Sequence, residues 1–206
     1  RGLIYINKLM KKHYTVYTAN KKNKLKPIYK NLQLNNMPII KMKQTHSNII
    51  HTITEKPNQS LITITNTDGL ITSLKNVGLA IKFADCMPII IQAHHHLCVL
   101  HSGRKGTQKK ILTKAIKQLK KLTKKDQNYH IWLGPHISNT HYEIDPIKKT
   151  TFNMLAETID QLKSEINLAK NKLIIHSECT HTSNNFYSYR GDNHTKKRNY
   201  IICYQH

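Results

Sequence analysis

Two side chains that could share a metal ion flank a short apolar hairpin in the middle of the chain. Cys86 and His101 are separated by two apolar segments that are joined by a polar bend at 92–96. This pattern predicts a pair of antiparallel strands. If Ile91 pairs with Leu97, Cys86 is one position out of register with His101, and a one-residue change in the bend places them directly opposite. Opposed Cβ atoms lie roughly 5 Å apart, which suits a thiolate and an imidazole on one ion.

His46 is the candidate for a third ligand. It follows a predicted strand at 38–44 and lies beside a small polar segment. Three protein ligands leave a coordination position for water or substrate, which is typical of catalytic zinc. The alternative for any single histidine is a surface or core role, since the chain contains 14 of them. The triplet at 94–96 lies at the other end of the hairpin and is interpreted as an exposed turn.

Seven short blocks follow one another in the order of a known family. They cover residues 44–47, 68–72, 84–88, 101–103 with Gly106, 134–137 with 142–143, 179–180 and 186–190. On these blocks, which span about residues 44 to 198, the chain resembles the laccase-domain family, formerly called multicopper polyphenol oxidases. Members of that family are described as purine nucleoside phosphorylases with additional adenosine deaminase and methylthioadenosine phosphorylase activities.

The resemblance implies a zinc ion held by His46, Cys86 and His101, with copper the less expected metal. It implies phosphorolysis of adenosine, inosine, guanosine or methylthioadenosine, with adenosine deamination as a further activity. Zinc can activate water for attack on C6 of adenine. Phosphorolysis requires cationic donors for phosphate, and Arg190 is the leading candidate for this catalytic role. The alternative for Arg190 is a surface salt bridge.

Five further residues in or near the matching blocks are expected to bind substrate. They are Asp68, Asp85, Lys105, His136 and Arg198. The two aspartates could orient metal-bound histidines or accept ribose hydroxyls. They could equally be turn residues, and the glycine that follows Asp68 is a strong turn signal.

Three departures from the family pattern affect the substrate side of the site. The family usually reads HAGWRG where this chain has HSGRKG at 101–106, and GPCI where this chain has His136. The Gly-rich GGVS loop of the family is not recognisable in residues 1–43, which look shortened or divergent. The three metal ligands are unaffected, so a weakened or altered enzyme is compatible with the sequence.

Apolar periodicity indicates the elements that must position these residues. It predicts strands at 38–44, 48–54, 61–65, 79–83, 88–91, 97–100, 130–133, 173–176 and 199–204, and helices at 107–122 and 151–169. Strands outnumber helices and do not alternate regularly with them. The sequence therefore predicts an α+β fold, with mixed β-sheets and flanking helices in a single compact domain over residues 1–206.

Charge and composition limit the classes of function that the chain could have. The net charge is +22, but the basic residues are nearly all scattered lysines, which favours a compositional bias over a dedicated nucleic-acid surface. The expected partners are purine nucleosides and phosphate, with no specific nucleic acid and no membrane. The alternatives are a copper-dependent polyphenol oxidase, a non-enzymatic polyanion-binding protein, and a hydrolase with Cys86 as nucleophile.

Cysteine usage and hydropathy indicate a cytoplasmic protein. The chain has no apolar run of about 18 residues, and no secretory signal is recognised at its start. Its four cysteines are widely spaced in a chain large enough to fold without disulfides, so free thiols are expected.

Overall fold

The computed structural model describes residues 14–34, 36–123 and 128–206. Its strands are β1 (Tyr14–Ala19), β2 (Ile39–Met42), β3 (Ile50–Ile53), β4 (Leu61–Ile64), β5 (Gly69–Thr72), β6 (Gly78–Phe83), β7 (Met87–Ala93), β8 (His96–Ser102), β9 (Tyr129–Leu133), β10 (Glu143–Asp145), β11 (Thr150–Thr151), β12 (Lys172–Ile175) and β13 (Asn199–Gln205). The helices are α1 (Leu25–Leu34), α2 (Arg104–Gln108), α3 (Ile111–Thr123) and α4 (Met154–Glu165), with 3₁₀ turns at Asn139–His141 and Leu168–Lys170.

The strands form two large mixed sheets and one small hairpin. The five-stranded sheet has the order β1-β13-β6-β2-β4, and the six-stranded sheet has the order β12-β9-β7-β8-β5-β3. Each contains parallel and antiparallel pairs. Strands β10 and β11 pair only with each other. The predicted α+β class with mixed sheets is confirmed.

The two sheets pack face to face and each carries helices on its outer face. Alternate residues of β7 point into different cores: Ile90 packs between the sheets, whereas Ile89 and Ile91 pack against α3 and α4. On the other side of the molecule, α1 packs against β2, β6 and β13 through Leu32 and Ile39. Because β7 is buried on both faces, its sequence is a continuous apolar run and not an alternating one.

The predicted register of the β7–β8 hairpin is wrong. Pro88 pairs with His101, and the strands are joined by a tight turn at 94–95 in which His94 has a φ of 53°. Two-residue turns of this kind need left-handed backbone, and they leave no room for the wider bend that the sequence suggested. Continuing the observed register puts Cys86 level with Gly103 and not with position 101 or 102. The exposed turn was predicted correctly for His94 and His95, whereas His96 begins β8 and is partly buried.

The predicted helices are divided or shortened. A single helix was expected at 107–122, but α2 and α3 are separate because Lys110 adopts a left-handed φ of 57° between them. The helix expected at 151–169 is shorter, since the side chain of Asn153 caps α4 by accepting a hydrogen bond from Ala156 N.

All four cysteines are free thiols. Within the described ranges, no helix combines the length and apolar character needed to cross a bilayer.

Candidate metal centre and cleft

Three connections between the sheets meet at one edge of the molecule. Residues 43–49 join β2 to β3, residues 65–68 join β4 to β5, and residues 84–86 join β6 to β7, each passing from the five-stranded to the six-stranded sheet. Since β2 is parallel to both β4 and β6, all three connections leave from the same edge. They bring His46, Asp68 and Cys86 beside His101 at the end of β8.

His46, Cys86 and His101 form a group that could hold a metal ion. Their ligand atoms all lie within 4.8 Å of one another. The two imidazole rings are nearly perpendicular at 73°, with centroids 4.9 Å apart. His46, at a φ of 60°, and Asp85, at 85°, both adopt the left-handed backbone that non-glycine residues rarely take, and such residues often occur at functional sites. Among the described residues this is the one such group of histidine, cysteine and carboxylate side chains.

Gly103 makes the close approach of these side chains possible. A Cβ atom at this position would lie 2.6 Å from Cys86 Sγ and 2.9 Å from Cδ2 of the His46 ring. Both distances are shorter than non-bonded contacts allow. The glycine of the 101–103 block is therefore required by the packing of the candidate ligands.

The buried carboxylate of Asp68 holds both histidines in place. One oxygen lies 2.8 Å from His101 Nδ1 and accepts a hydrogen bond from the backbone N–H of His46 at 3.0 Å. The other accepts from the backbone N–H and the hydroxyl of Ser47, both at 2.7 Å, and from Thr45. With Nδ1 bonded to Asp68, the Nε2 atom of His101 is the ring nitrogen available to an ion.

Charge in the site favours the metal-binding form of the cysteine. Burial raises the pKa of the Cys86 thiol, but His101 and His46 outweigh this effect and lower it to about 6. Burial likewise lowers the pKa of His101, whereas Cys86 and Asp68 raise it to about 9. Burial also raises the pKa of Asp68, and hydrogen bonds from His101 and Ser47 reverse this and lower it. The site near neutral pH therefore holds a thiolate, which is the form of cysteine that binds metals.

A cleft of about 400 Å³ opens onto the three candidate ligands. Its remaining wall is rich in cationic and aromatic side chains, among them Lys82, Tyr142, Tyr189, Arg190 and Arg198. The guanidinium carbon of Arg190 lies 4.8 Å from the centre of the Tyr142 ring, and that of Arg198 lies 5.8 Å from the Tyr189 ring. The cleft thus combines positive charge with flat apolar surfaces.

Asp85 links the wall of the cleft to the candidate metal centre. Its carboxylate accepts hydrogen bonds from the hydroxyls of Thr180, at 2.8 Å, and Ser188, at 2.6 Å. The backbone N–H of Arg190 donates to its other oxygen at 2.8 Å. Both oxygens of the Asp85 carboxylate are therefore occupied by hydrogen bonds within the protein, and its side chain is buried.

The residues predicted to bind substrate are not all brought together. Asp85 and Arg198 line the cleft with Arg190. Asp68 is fully buried behind His101, and Lys105 is exposed on α2 outside the cleft lining. His136 lies in a neighbouring cleft, where its Nδ1 is 2.8 Å from the carbonyl oxygen of Gly134.

Four residues with polar side chains in the cleft lining were not singled out from the sequence as site residues. They are Gln44, Lys82, Tyr142 and Tyr189. Gln44, Tyr142 and Tyr189 lie inside the matching blocks, which was the available signal. The side chain of Gln44 binds the backbone of Lys82 in β6 at the edge of the cleft. Its amide donates to Lys82 O at 2.7 Å, and its carbonyl oxygen accepts from Lys82 N at 3.0 Å.

Comparison with known proteins gives a family match over nearly the whole chain. Residues 17–204 match the family model described as multi-copper polyphenol oxidoreductase laccase. A purine nucleoside phosphorylase from Corynebacterium glutamicum is 29% identical over 128 residues, covering 61% of this chain and 50% of that protein. One from Campylobacter jejuni is 32% identical over 145 residues, 63% of each chain. The chain thus spans about half to two-thirds of the length of these curated relatives.

Solved structures share the fold. YlmD from Geobacillus stearothermophilus superimposes with a TM-score of 0.78 at 17% identity, covering 94% of this chain and 92% of that one. The hypothetical protein YfiH from Bacillus licheniformis gives a TM-score of 0.73 at 21% identity, with 85% and 78% covered. At these identities the likeness concerns the fold alone.

Proposed function

This chain belongs to the multi-copper polyphenol oxidoreductase laccase family, and we propose that it is a metal-dependent purine nucleoside phosphorylase. The observation that carries the proposal is the cleft itself. Two imidazoles and a thiolate within 4.8 Å of one another face the same cavity as Arg190 and Arg198. The relatives named purine nucleoside phosphorylase support the choice of reaction.

The proposed substrates are a purine nucleoside and inorganic phosphate. In the reaction, a phosphate oxygen bonds to C1′ of the ribose while the bond from C1′ to N9 breaks and the purine leaves. Guanidinium groups suit this chemistry, because they bind phosphate oxygens through paired N–H donors. Arg190 is the proposed phosphate ligand, with Arg198 and Lys82 adding positive charge to the cleft. The ring of Tyr189 offers a flat surface for the purine.

Zinc is the proposed metal, with His46, Cys86 and His101 as its ligands. Imidazole and thiolate are ligands that zinc prefers, and Asp68 supplies the carboxylate that commonly orients a metal-bound histidine. A zinc ion bound there would act as a Lewis acid and leave a coordination position for water or substrate. Such a site would also suit deamination of adenosine, which we propose as a second activity.

A nucleoside panel combined with elemental analysis tests the proposal. Protein purified without added metal should contain about one zinc per chain, and it should release free purine from adenosine, inosine, guanosine or methylthioadenosine only when phosphate is present. Cys86→Ala should lose both metal and turnover. Cys179→Ala is the matched control, because Cys179 is a partly buried thiol outside the cleft. The proposal is wrong if Cys86→Ala keeps both its metal content and its turnover.

A further inference from the structure

Arg190 is an exposed residue on a long connection, yet its position is fixed by two separate contacts. The connection runs from β12 to β13 and reaches the cleft far in sequence from the candidate metal ligands. Its side chain stacks on Tyr142, and its backbone N–H is bonded to Asp85. An arginine carries several rotatable bonds, and an unrestrained one loses conformational entropy when it binds a ligand. Contacts that restrain it beforehand reduce that loss.

Tyr142 is itself held rigidly. Its ring meets Phe152 edge to face, with centroids 5.8 Å apart at 87°. Its hydroxyl lies near the backbone N–H of Arg104, at the start of α2. Burial raises the pKa of this hydroxyl and the charge of Cys86 adds to the effect, while Arg190 opposes it. The ring is therefore supported by Phe152 and lies near both Cys86 and Arg190.

Asp85 holds the backbone of Arg190 through a separate contact. The Asp85 side chain is buried, and one of its oxygens serves the hydroxyls of Thr180 and Ser188. The other oxygen accepts the Arg190 N–H. Asp85 immediately precedes Cys86, so the contact ties the arginine to the same connection that carries a candidate metal ligand.

We propose that Tyr142 and Asp85 are positioning residues that hold Arg190 ready to bind phosphate. The inference rests on the proposed function, since it assigns the phosphate to Arg190. In this inference Asp85 holds the backbone of Arg190 and does not contact the ribose. The aromatic ring of Tyr142, and not its hydroxyl, is the part that Arg190 needs, because the contact is a stack of the guanidinium on the ring face.

Steady-state kinetics of Tyr142→Leu and Tyr142→Phe test the role of the ring. Leucine removes the ring, so the KM for inorganic phosphate should rise about three- to tenfold, the loss expected when one flexible side chain must be ordered on binding. Phenylalanine keeps the ring, so the KM for phosphate should stay within about twofold of wild type. Zinc content and the KM for the nucleoside should change little in either variant. An unchanged phosphate KM in Tyr142→Leu, or an equal rise in both variants, would overturn the inference.

Asp85→Asn gives an independent second variant. Asparagine retains one acceptor oxygen for Thr180 and Ser188 but replaces the oxygen that accepts the Arg190 N–H by an amide donor. The KM for phosphate should rise while the zinc content stays at one per chain. A rise in nucleoside KM alone would instead indicate a contact with ribose and contradict the positioning role.

An NMR measurement separates failure of this inference from failure of the proposed function. The ring current of Tyr142 should shift the Arg190 side-chain protons upfield in the wild type and in Tyr142→Phe, but not in Tyr142→Leu. If the wild type catalyses no phosphorolysis, the proposed function is wrong and this shift alone decides whether the arginine is held by the ring. An Arg190 spectrum that is the same in all three proteins would refute the positioning.

Discussion

Replacing Asp68 by Asn is the most direct probe of how the candidate metal centre is built. The carboxylate lies 2.8 Å from His101 Nδ1, accepts the His46 N–H and serves two donors of Ser47. Asparagine has nearly the same shape, but one end of its amide donates hydrogen bonds and cannot accept them. The substitution therefore leaves at least one buried donor without an acceptor.

The magnitude follows from these contacts. A hydrogen bond to a charged group contributes about 1.5–3 kcal/mol, so the free energy of unfolding should fall by about 2–4 kcal/mol. Loss of a carboxylate behind a metal-bound histidine typically weakens metal affinity by roughly 10- to 100-fold. Urea denaturation would measure the first quantity and competition with a chelator the second.

Asp145→Asn is the matched control for this substitution. Asp145 makes the same kind of bond, accepting the backbone N–H groups of Ile147 and Lys148, but it ends β10 at the start of a turn outside the cleft lining. Asparagine suits such turns, so both stability and zinc affinity should stay close to wild type. A zinc affinity for Asp68→Asn that equals that of the control would refute the assigned role of Asp68.

Three other predictions follow from single contacts. Gly103→Ala should remain folded but bind zinc at least about tenfold more weakly by chelator competition, because its methyl group would contact Cys86 Sγ; unchanged affinity would contradict this packing argument. The pKa of Cys86 is lowered to about 6 and that of His101 is raised to about 9, so the metal-free pair holds one proton near neutral pH. Zinc binding should then release the proton of this pair near neutral pH and none from it above about pH 10, and calorimetry that finds no buffer dependence near neutral pH would refute this. Asn153→Ala should lower the stability by about 1 kcal/mol, or about 2–4 °C in Tm, whereas Asn153→Asp should change it little, because aspartate also caps helices.

Apolar patterning predicted most of the strands but not those in weakly patterned segments. The nine predicted strands correspond to β2, β3, β4, β6, β7, β8, β9, β12 and β13. Helix α1 lies where lysine and asparagine interrupt the apolar residues, and strand β1 is a short segment between two lysine-rich stretches. Strand β5 was missed because Gly69, its first residue, was interpreted as the end of a turn. Its burial on both faces comes from tertiary packing that a local pattern does not report.

The candidate site was predictable in its residue types but not in its geometry. The convergence of Cys86 and His101 was foreseen, but for the wrong reason. The hairpin register separates their backbones, and it is the missing side chain at Gly103 that allows the approach. The hydrogen bonds around Asp68 could not be predicted from the sequence either, since its donors come from segments 21 to 33 positions away. Spacing along the chain carries no information about such contacts.

Because the three candidate ligands lie on separate segments of the chain, an ion bound by them would also join those segments. His46 belongs to a connection that leaves β2, whereas Cys86 and His101 bracket a hairpin of the other sheet. An ion held by all three would cross-link stretches of chain 40 and 55 positions apart, and because these ligands converge only in the folded chain, its binding free energy would add to the free energy of unfolding. The same atoms would then contribute to the cohesion of the sandwich, so a descendant that had lost turnover would still be under pressure to retain them.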